Sequence, residues 1–118
     1  MQNKLWLFLL LILVLVCPYN NLQAAGNGRI QGLRIWPSPG SVRVVFDLSQ
    51  AIEYKVQTLT SPYRVVVDFE DAQLVTKVGD VSLKSTQITQ VRHGNYDNKI
   101  RIVFETTSAV KPNSFVLT

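Results

Sequence analysis

The sequence predicts an all-β fold: a small sandwich of two related β-sheets produced by internal duplication. Three observations carry that expectation. Apolar and polar residues alternate with a period of two along several runs, which is the pattern of half-buried strands. Residues with turn chemistry separate those runs. The chain also aligns with itself, without a gap, at an offset of 58 residues.

The first 25 residues stand apart from this pattern. Lys4 gives a positive start, residues 5–17 (LWLFLLLILVLVC) form an apolar stretch of about 13 residues, and Pro18 breaks it. A spanning helix needs about 20 apolar residues. This stretch is shorter and leads to Leu22-Gln23-Ala24-Ala25, so residues 1–25 read as a signal peptide cleaved after Ala24 or Ala25. An uncleaved membrane anchor is the alternative. Val16 precedes Cys17, where lipoprotein processing requires a small residue, so no lipid anchor is expected and no stable membrane anchor after cleavage.

Strands then follow one another. In residues 42–48 (VRVVFDL) the even positions are all apolar, while Arg43 and Asp47 point the other way. In residues 63–69 (YRVVVDF) the odd positions form the apolar face, opposite Arg64 and Asp68. Residues 100–105 (IRIVFE) repeat the first pattern. Turns are expected at Pro37-Ser38-Pro39-Gly40, Ser61-Pro62, Gly79-Asp80 and residues 95–98 (NYDN), where Gly, Pro, Asn and Asp favour chain reversal. No segment of the mature part has helical periodicity.

The self-alignment pairs residues 28–60 with residues 86–118. Ile30 meets Ile88, Leu33 meets Val91, Arg34 meets Arg92, and VRVVFD meets IRIVFE. About eight of the 33 pairs are identical. A repeat of this kind implies two copies of one unit, over residues 28–70 and 86–118, that bury their apolar faces against each other. Four strands per unit give two small sheets packed face to face. The first unit continues to a strong strand at residues 63–69, whose counterpart falls at 121–127, past Thr118. The expectation is a domain over residues 26–118 that is truncated at its C-terminus. Its last strand is missing and one sheet edge is orphaned.

Composition narrows the function. Roughly 93 residues remain after the leader, enough for one small domain and too few for a catalytic domain of ordinary size. The lone cysteine lies in the leader, which removes disulfides, thiolate metal sites and Cys nucleophiles from the mature part. Net charge is +4 for the whole chain, a mild basicity that suits an acidic polymer. There is no run of Lys or Arg to serve a nucleic acid, so none is expected as a partner. His93 is the only histidine, whereas a zinc hydrolase needs at least three protein ligands. No Gly-x-Ser-x-Gly turn is present, and alternation splits the directions of Asp68, Glu70 and Asp71. No catalytic residue, metal site or cofactor is expected in this chain.

Residues 34–49 (RIWPSPGSVRVVFDLS), 54–72 (YKVQTLTSPYRVVVDFEDA) and 88–117 (ITQVRHGNYDNKIRIVFETTSAVKPNSFVL) together resemble the AMIN domain. That module occurs in exported bacterial N-acetylmuramoyl-L-alanine amidases and in type IV pilus secretins. The resemblance covers nearly all of the mature chain in motif order. It implies a pair of related four-stranded sheets, a periplasmic location, and a non-catalytic role: binding peptidoglycan and concentrating an attached amidase at the division septum. Zinc chemistry would belong to a separate C-terminal amidase domain. A signal peptide followed directly by one module suits the amidase layout. The alternative is a docking or wall-anchoring module of a secretin, with septal or secretin proteins as partners.

The candidate contacts with peptidoglycan are the outward charges: Arg43, Asp47, Arg64 and Asp68 in the first unit, Arg101 and Glu105 in the second. Arg34 and Arg92 occupy equivalent strand ends and can extend a basic rim. Guanidinium groups take carboxylates in bidentate fashion, and stem peptides supply carboxylates. Aspartates can accept from sugar hydroxyls. The competing reading of the same residues is a ladder of cross-strand ion pairs that keeps the sheet soluble. Among aromatics, Tyr63 shares the apolar face with Val65 and Val67 and is expected in the core. Tyr96 is expected exposed in its turn. Trp36 and Tyr54 are further stacking candidates.

Overall fold

Alternation becomes strand wherever the sequence shows it. The computed structural model describes residues 5–13 and 28–117, and every regular element among them is a strand. In chain order these are β1 (Leu5–Leu13), β2 (Gly28–Ser38), β3 (Ser41–Leu48), β4 (Tyr54–Leu59), β5 (Arg64–Glu70), β6 (Ala72–Leu74), β7 (Ile88–Tyr96), β8 (Lys99–Thr106) and β9 (Ser114–Leu117). The positive start at Lys4, the break at Pro18 and the cleavage positions Ala24 and Ala25 lie outside the described residues.

Two hairpins at repeat-equivalent positions organise the fold. Ser38 pairs with Ser41 across Pro39-Gly40, and Tyr96 pairs with Lys99 across Asp97-Asn98. Both turns use a positive φ, at Gly40 (73°) and Asp97 (55°), which glycine adopts freely and aspartate tolerates. The 58-residue offset reappears as hydrogen-bond register. Leu33 faces Phe46 as Val91 faces Phe104. Even the irregularity is duplicated: β2 shifts register between Ile30 and Gly32, and β7 between Ile88 and Gln90. A bulge kept at equivalent positions marks a feature of the unit itself.

The two sheets run β6-β2-β3-β1-β9 and β4-β5-β8-β7. Neither sheet is one repeat unit. Strands β4 and β5 of the first unit leave their own hairpin and pair with β8 of the second, so the units exchange strands. Arg64 and Asp68 therefore share a sheet with Arg101 and Glu105, and not with Arg43 and Asp47 as the unit-by-unit reading expects.

By the same repeat, β3 corresponds to β8 and β9 to β4, so the place between β3 and β9 corresponds to that of β5. Strand β1 occupies it. Leu7 lies opposite Phe46 and Val116, while Val65 lies opposite Phe104 and Thr58; each partner differs by the repeat offset. In the uncleaved chain the apolar leader segment thus takes the position that the sequence assigns to the strand expected after Thr118.

The inner faces meet in a core of Ile30, Leu33, Val44, Phe46 and Leu48 from one sheet, with Val65, Val67, Phe69, Ile102 and Phe104 from the other. The Phe46 ring packs edge-on to Phe69 at 5.0 Å and to Phe104 at 6.1 Å, an arrangement that aromatic quadrupoles favour. Burying each of these phenyl groups contributes roughly 1.5–3 kcal/mol. Tyr63 departs from expectation: it is 41% exposed. It lies in the turn before β5 begins at Arg64, where alternation no longer dictates direction.

Candidate functional site

Each sheet carries its charges on the side away from the core, because strand neighbours alternate in direction. On β8 the inward residues are Ile100, Ile102 and Phe104, which leaves Arg101, Val103 and Glu105 outward. On β3 the inward set is Val42, Val44, Phe46 and Leu48, which leaves Arg43, Val45 and Asp47 outward. All eight candidate residues are therefore on, or at the ends of, outward rows.

The strongest contact is between Arg101 and Asp68, which face each other across β8 and β5. Arg101 Nε donates to Asp68 Oδ1 at 2.8 Å and a terminal nitrogen donates to Oδ2 at 3.0 Å. Asp68 is 8% exposed. The hydrogen bonds from Arg101 hold its carboxyl below the usual carboxylate range, against the opposing effect of burial. The same bonds raise the Arg101 guanidinium above its ordinary value. The Tyr96 ring lies 4.8 Å from the Arg101 guanidinium carbon, a cation–π distance.

A second contact occurs twice. Arg34 donates to Asp47 Oδ1 at 2.8 Å, and Arg92 donates to Glu105 Oε2 at 2.8 Å. The two arginines are repeat equivalents, and so are the two carboxylates. Both pairs run diagonally across a hairpin, since Arg34 is in register with Val45 and Arg92 with Val103. The shorter aspartate fits because it lies against Gly32, where a Cβ would stand 2.8 Å from its Oδ2. The Arg34 guanidinium also sits 5.4 Å from the Trp36 ring, and Trp36 is 42% exposed.

The other candidates have different settings. Arg64 donates to the carbonyls of Pro62 and Thr60 at 3.0 and 3.1 Å and pairs in register with Glu105. Arg43 is exposed and lies in register between Trp36 and Leu10. The structure thus joins Arg34 with Asp47, Arg92 with Glu105, and Arg101 with Asp68, and keeps Arg43 and Arg64 on opposite sheets. Three carboxylates are engaged by arginines of the chain itself, so an incoming carboxylate competes with them for the same donors.

Several neighbours escaped sequence reasoning. Lys99 reaches Glu70 at 3.7 Å, a pair visible only once β5 and β8 are known to be adjacent. Tyr54 is half-buried against Phe69 at 6.1 Å and shares a hydroxyl contact with Ser114. Burial raises its phenol above the ordinary value. Among the described residues no three His, Cys, Asp or Glu side chains are grouped to hold a metal ion, and no helix is long and apolar enough to cross a membrane.

The AMIN domain profile matches residues 32–118. The chain is 32% identical over 103 residues to N-acetylmuramoyl-L-alanine amidase AmiC of Escherichia coli O6:H1, which covers 83% of this chain and 25% of that protein. The chain spans about a quarter of the length of this relative.

Proposed function

This chain belongs to the AMIN domain family, and from that premise we propose that it is a non-catalytic peptidoglycan-binding module that targets an N-acetylmuramoyl-L-alanine amidase to the division septum. Its place of work is the periplasm, reached through cleavage of residues 1–25 as a signal peptide. The amidase context is supported by the likeness to AmiC. Wall hydrolysis and separation of daughter cells are then the work of a zinc-dependent amidase domain, with this module supplying location.

One observation carries the binding role: the Arg34–Asp47 pair recurs as Arg92–Glu105 on the opposite outer face. Each pair offers a partly exposed guanidinium to stem-peptide carboxylates and an acceptor to sugar hydroxyls. Two such faces on one small body can engage a repetitive polymer together, and the second contact is then made at high effective concentration. Weak single sites add up.

The test is co-sedimentation of the full chain with purified sacculi. Arg34→Ala and Arg92→Ala singly are expected to reduce pelleting modestly, and the double variant far more. Undiminished pelleting of a folded double variant rejects the two-face mechanism.

A further inference from the structure

At one open end of the sandwich, the period-two rule is broken on the core-facing side. His93 is in register with Ile102, and Asn95 with Ile100, both core residues. Directly opposed residues share a face, so His93 and Asn95 occupy inward positions. Their repeat equivalents are Ile35, which is buried, and Pro37. Where the first unit places a buried Ile35 followed by an exposed Pro37, the second presents hydrogen-bonding groups that stay exposed. Polar residues at intended core positions are the departures from pattern that mark function.

These residues form one wall of a cleft of about 470 Å³. The other wall is Gln73, Leu74 and Val75, following the parallel pairing of β6 with β2. The Val75 amide donates to the Ile30 carbonyl at 3.0 Å, which holds this wall in place while Val75 itself remains 54% exposed. Asn98 and Lys99 complete the rim at the hairpin tip. The cleft therefore combines a short apolar strip with side-chain amide donors and acceptors, a mainly polar lining suited to a hydroxylated ligand.

Charge decides the ligand class. Lys99 is offset by Glu70 at 3.7 Å, and Asp97 adds a carboxylate to the same rim. The cleft has no excess positive charge with which to hold an anion. Amides of Gln73, Asn95 and Asn98 instead match the donor and acceptor of an acetamido group and the hydroxyls of a sugar. Leu74 and Val75 can take its methyl and ring C–H surface. We propose that this cleft is a subsite for uncharged N-acetylated hexosamine units of a glycan chain. The inference rests on the wall-binding reading and adds to it that the sugar strand, as well as the stem peptide, is recognised.

Titration of the full chain with the N-acetylglucosamine tetramer, followed by amide NMR, tests this. Saturable shifts are expected at residues 73–75 and 93–99. His93→Ile with Asn95→Val, which restores apolar side chains to the inward positions, is expected to weaken tetramer affinity at least about tenfold, as loss of hydrogen-bonding partners in a site does. Gln73→Ala, on the opposite wall and outside the alternation of β7, gives an independent variant should the first fail to fold. Absence of shifts, or equal affinity in the folded variants, overturns the subsite. A stem-peptide fragment that shifts residues 93–99 when the tetramer does not overturns it as well. Sacculus pelleting by the same preparation separates the two claims. Pelleting without tetramer binding removes the cleft alone, whereas loss of both removes the wall-binding reading too.

Discussion

Arg101 grips Asp68 with two parallel hydrogen bonds of 2.8 and 3.0 Å, and the two residues come from different copies of the repeat. The pair is a seam: it ties the exchanged strand β5 to β8, and it is the least exposed ion pair among the described residues. Removing one partner strands the other in a partly dry site, where an unmatched group costs about 1–3 kcal/mol. Arg101→Ala is expected to lower the unfolding midpoint in urea more than Arg92→Ala does. Equal shifts in the two variants would refute the ranking.

Acid sensitivity follows from the same pair. The folded-state pKa of Asp68 lies below its unfolded value, which is near 3.9 for a free aspartate. The unfolded chain therefore binds the proton first as pH falls, so this contribution to stability is complete above about pH 5 and is lost below the unfolded value. Thermal unfolding from pH 6 to pH 2 is expected to show a shallower acid decline in Asp68→Asn than in the parent. Parallel declines would show that the seam is not the acid-labile element.

The duplicated diagonal pairs are a contrasting case. Arg34, Asp47, Arg92 and Glu105 are all partly exposed, and such pairs stabilise by about 0–1 kcal/mol. Double-mutant cycles on Arg34/Asp47 and Arg92/Glu105 are expected to give coupling energies within that range. The losses should add between sheets, since the pairs share no partner. On the proposed wall-binding role, stability is expected to change little while pelleting with sacculi is lost, a split that fluorescence-monitored denaturation and sedimentation can resolve.

At the centre of the core, Phe46 touches both Phe69 and Phe104. Truncation there removes contacts to two strands of the opposite sheet, β5 and β8, and Phe46→Ala is expected to cost about 3–5 kcal/mol. For a domain this small that is most or all of its stability. Calorimetry is expected to show the cooperative transition abolished or displaced to low temperature. A transition within a few degrees of the parent would mean that the two inner faces do not share one core.

Strand β1 has neighbours on both sides, with Leu9 opposite Val44 on one and Ser114 on the other. A proline in a central strand removes a ladder hydrogen bond whichever side its amide faces. In the uncleaved chain, Leu9→Pro is expected to loosen β9, whose strand partner among the described residues is β1 alone. Hydrogen exchange at residues 114–117 should accelerate, while exchange in β5 and β8 stays slow. Unchanged protection in β9 would show that β1 does not hold it.

Much of the fold was legible in advance for local reasons. Alternation around Phe46 and Phe104 identified their strands and their inward faces, because neighbouring Cβ atoms necessarily point to opposite sides. The 58-residue offset anticipated the equivalence of VRVVFD with IRIVFE and of Arg34 with Arg92, but not the register shifts in β2 and β7. Tyr63 was misplaced because alternation stops where the strand does. The cleft at His93 was hidden because a polar residue at an inward position looks like an ordinary strand end until the opposite wall, Gln73 to Val75, is in place.

By itself, then, the sequence determined the strand runs around Phe46, Val67 and Phe104, which face each presents and which positions are duplicated. Each of these depends on residues close along the chain or on a copied pattern. Only the tertiary structure decided that the units exchange strands, that Asp68 meets Arg101 and not a charge of its own unit, and that Leu5–Leu13 lies between β3 and β9. Those outcomes compare hydrogen-bond ladders and buried faces between segments distant in sequence, and several pairings satisfy the same alternation equally well. Packing both sheets around Phe46, Phe69 and Phe104 selects among them.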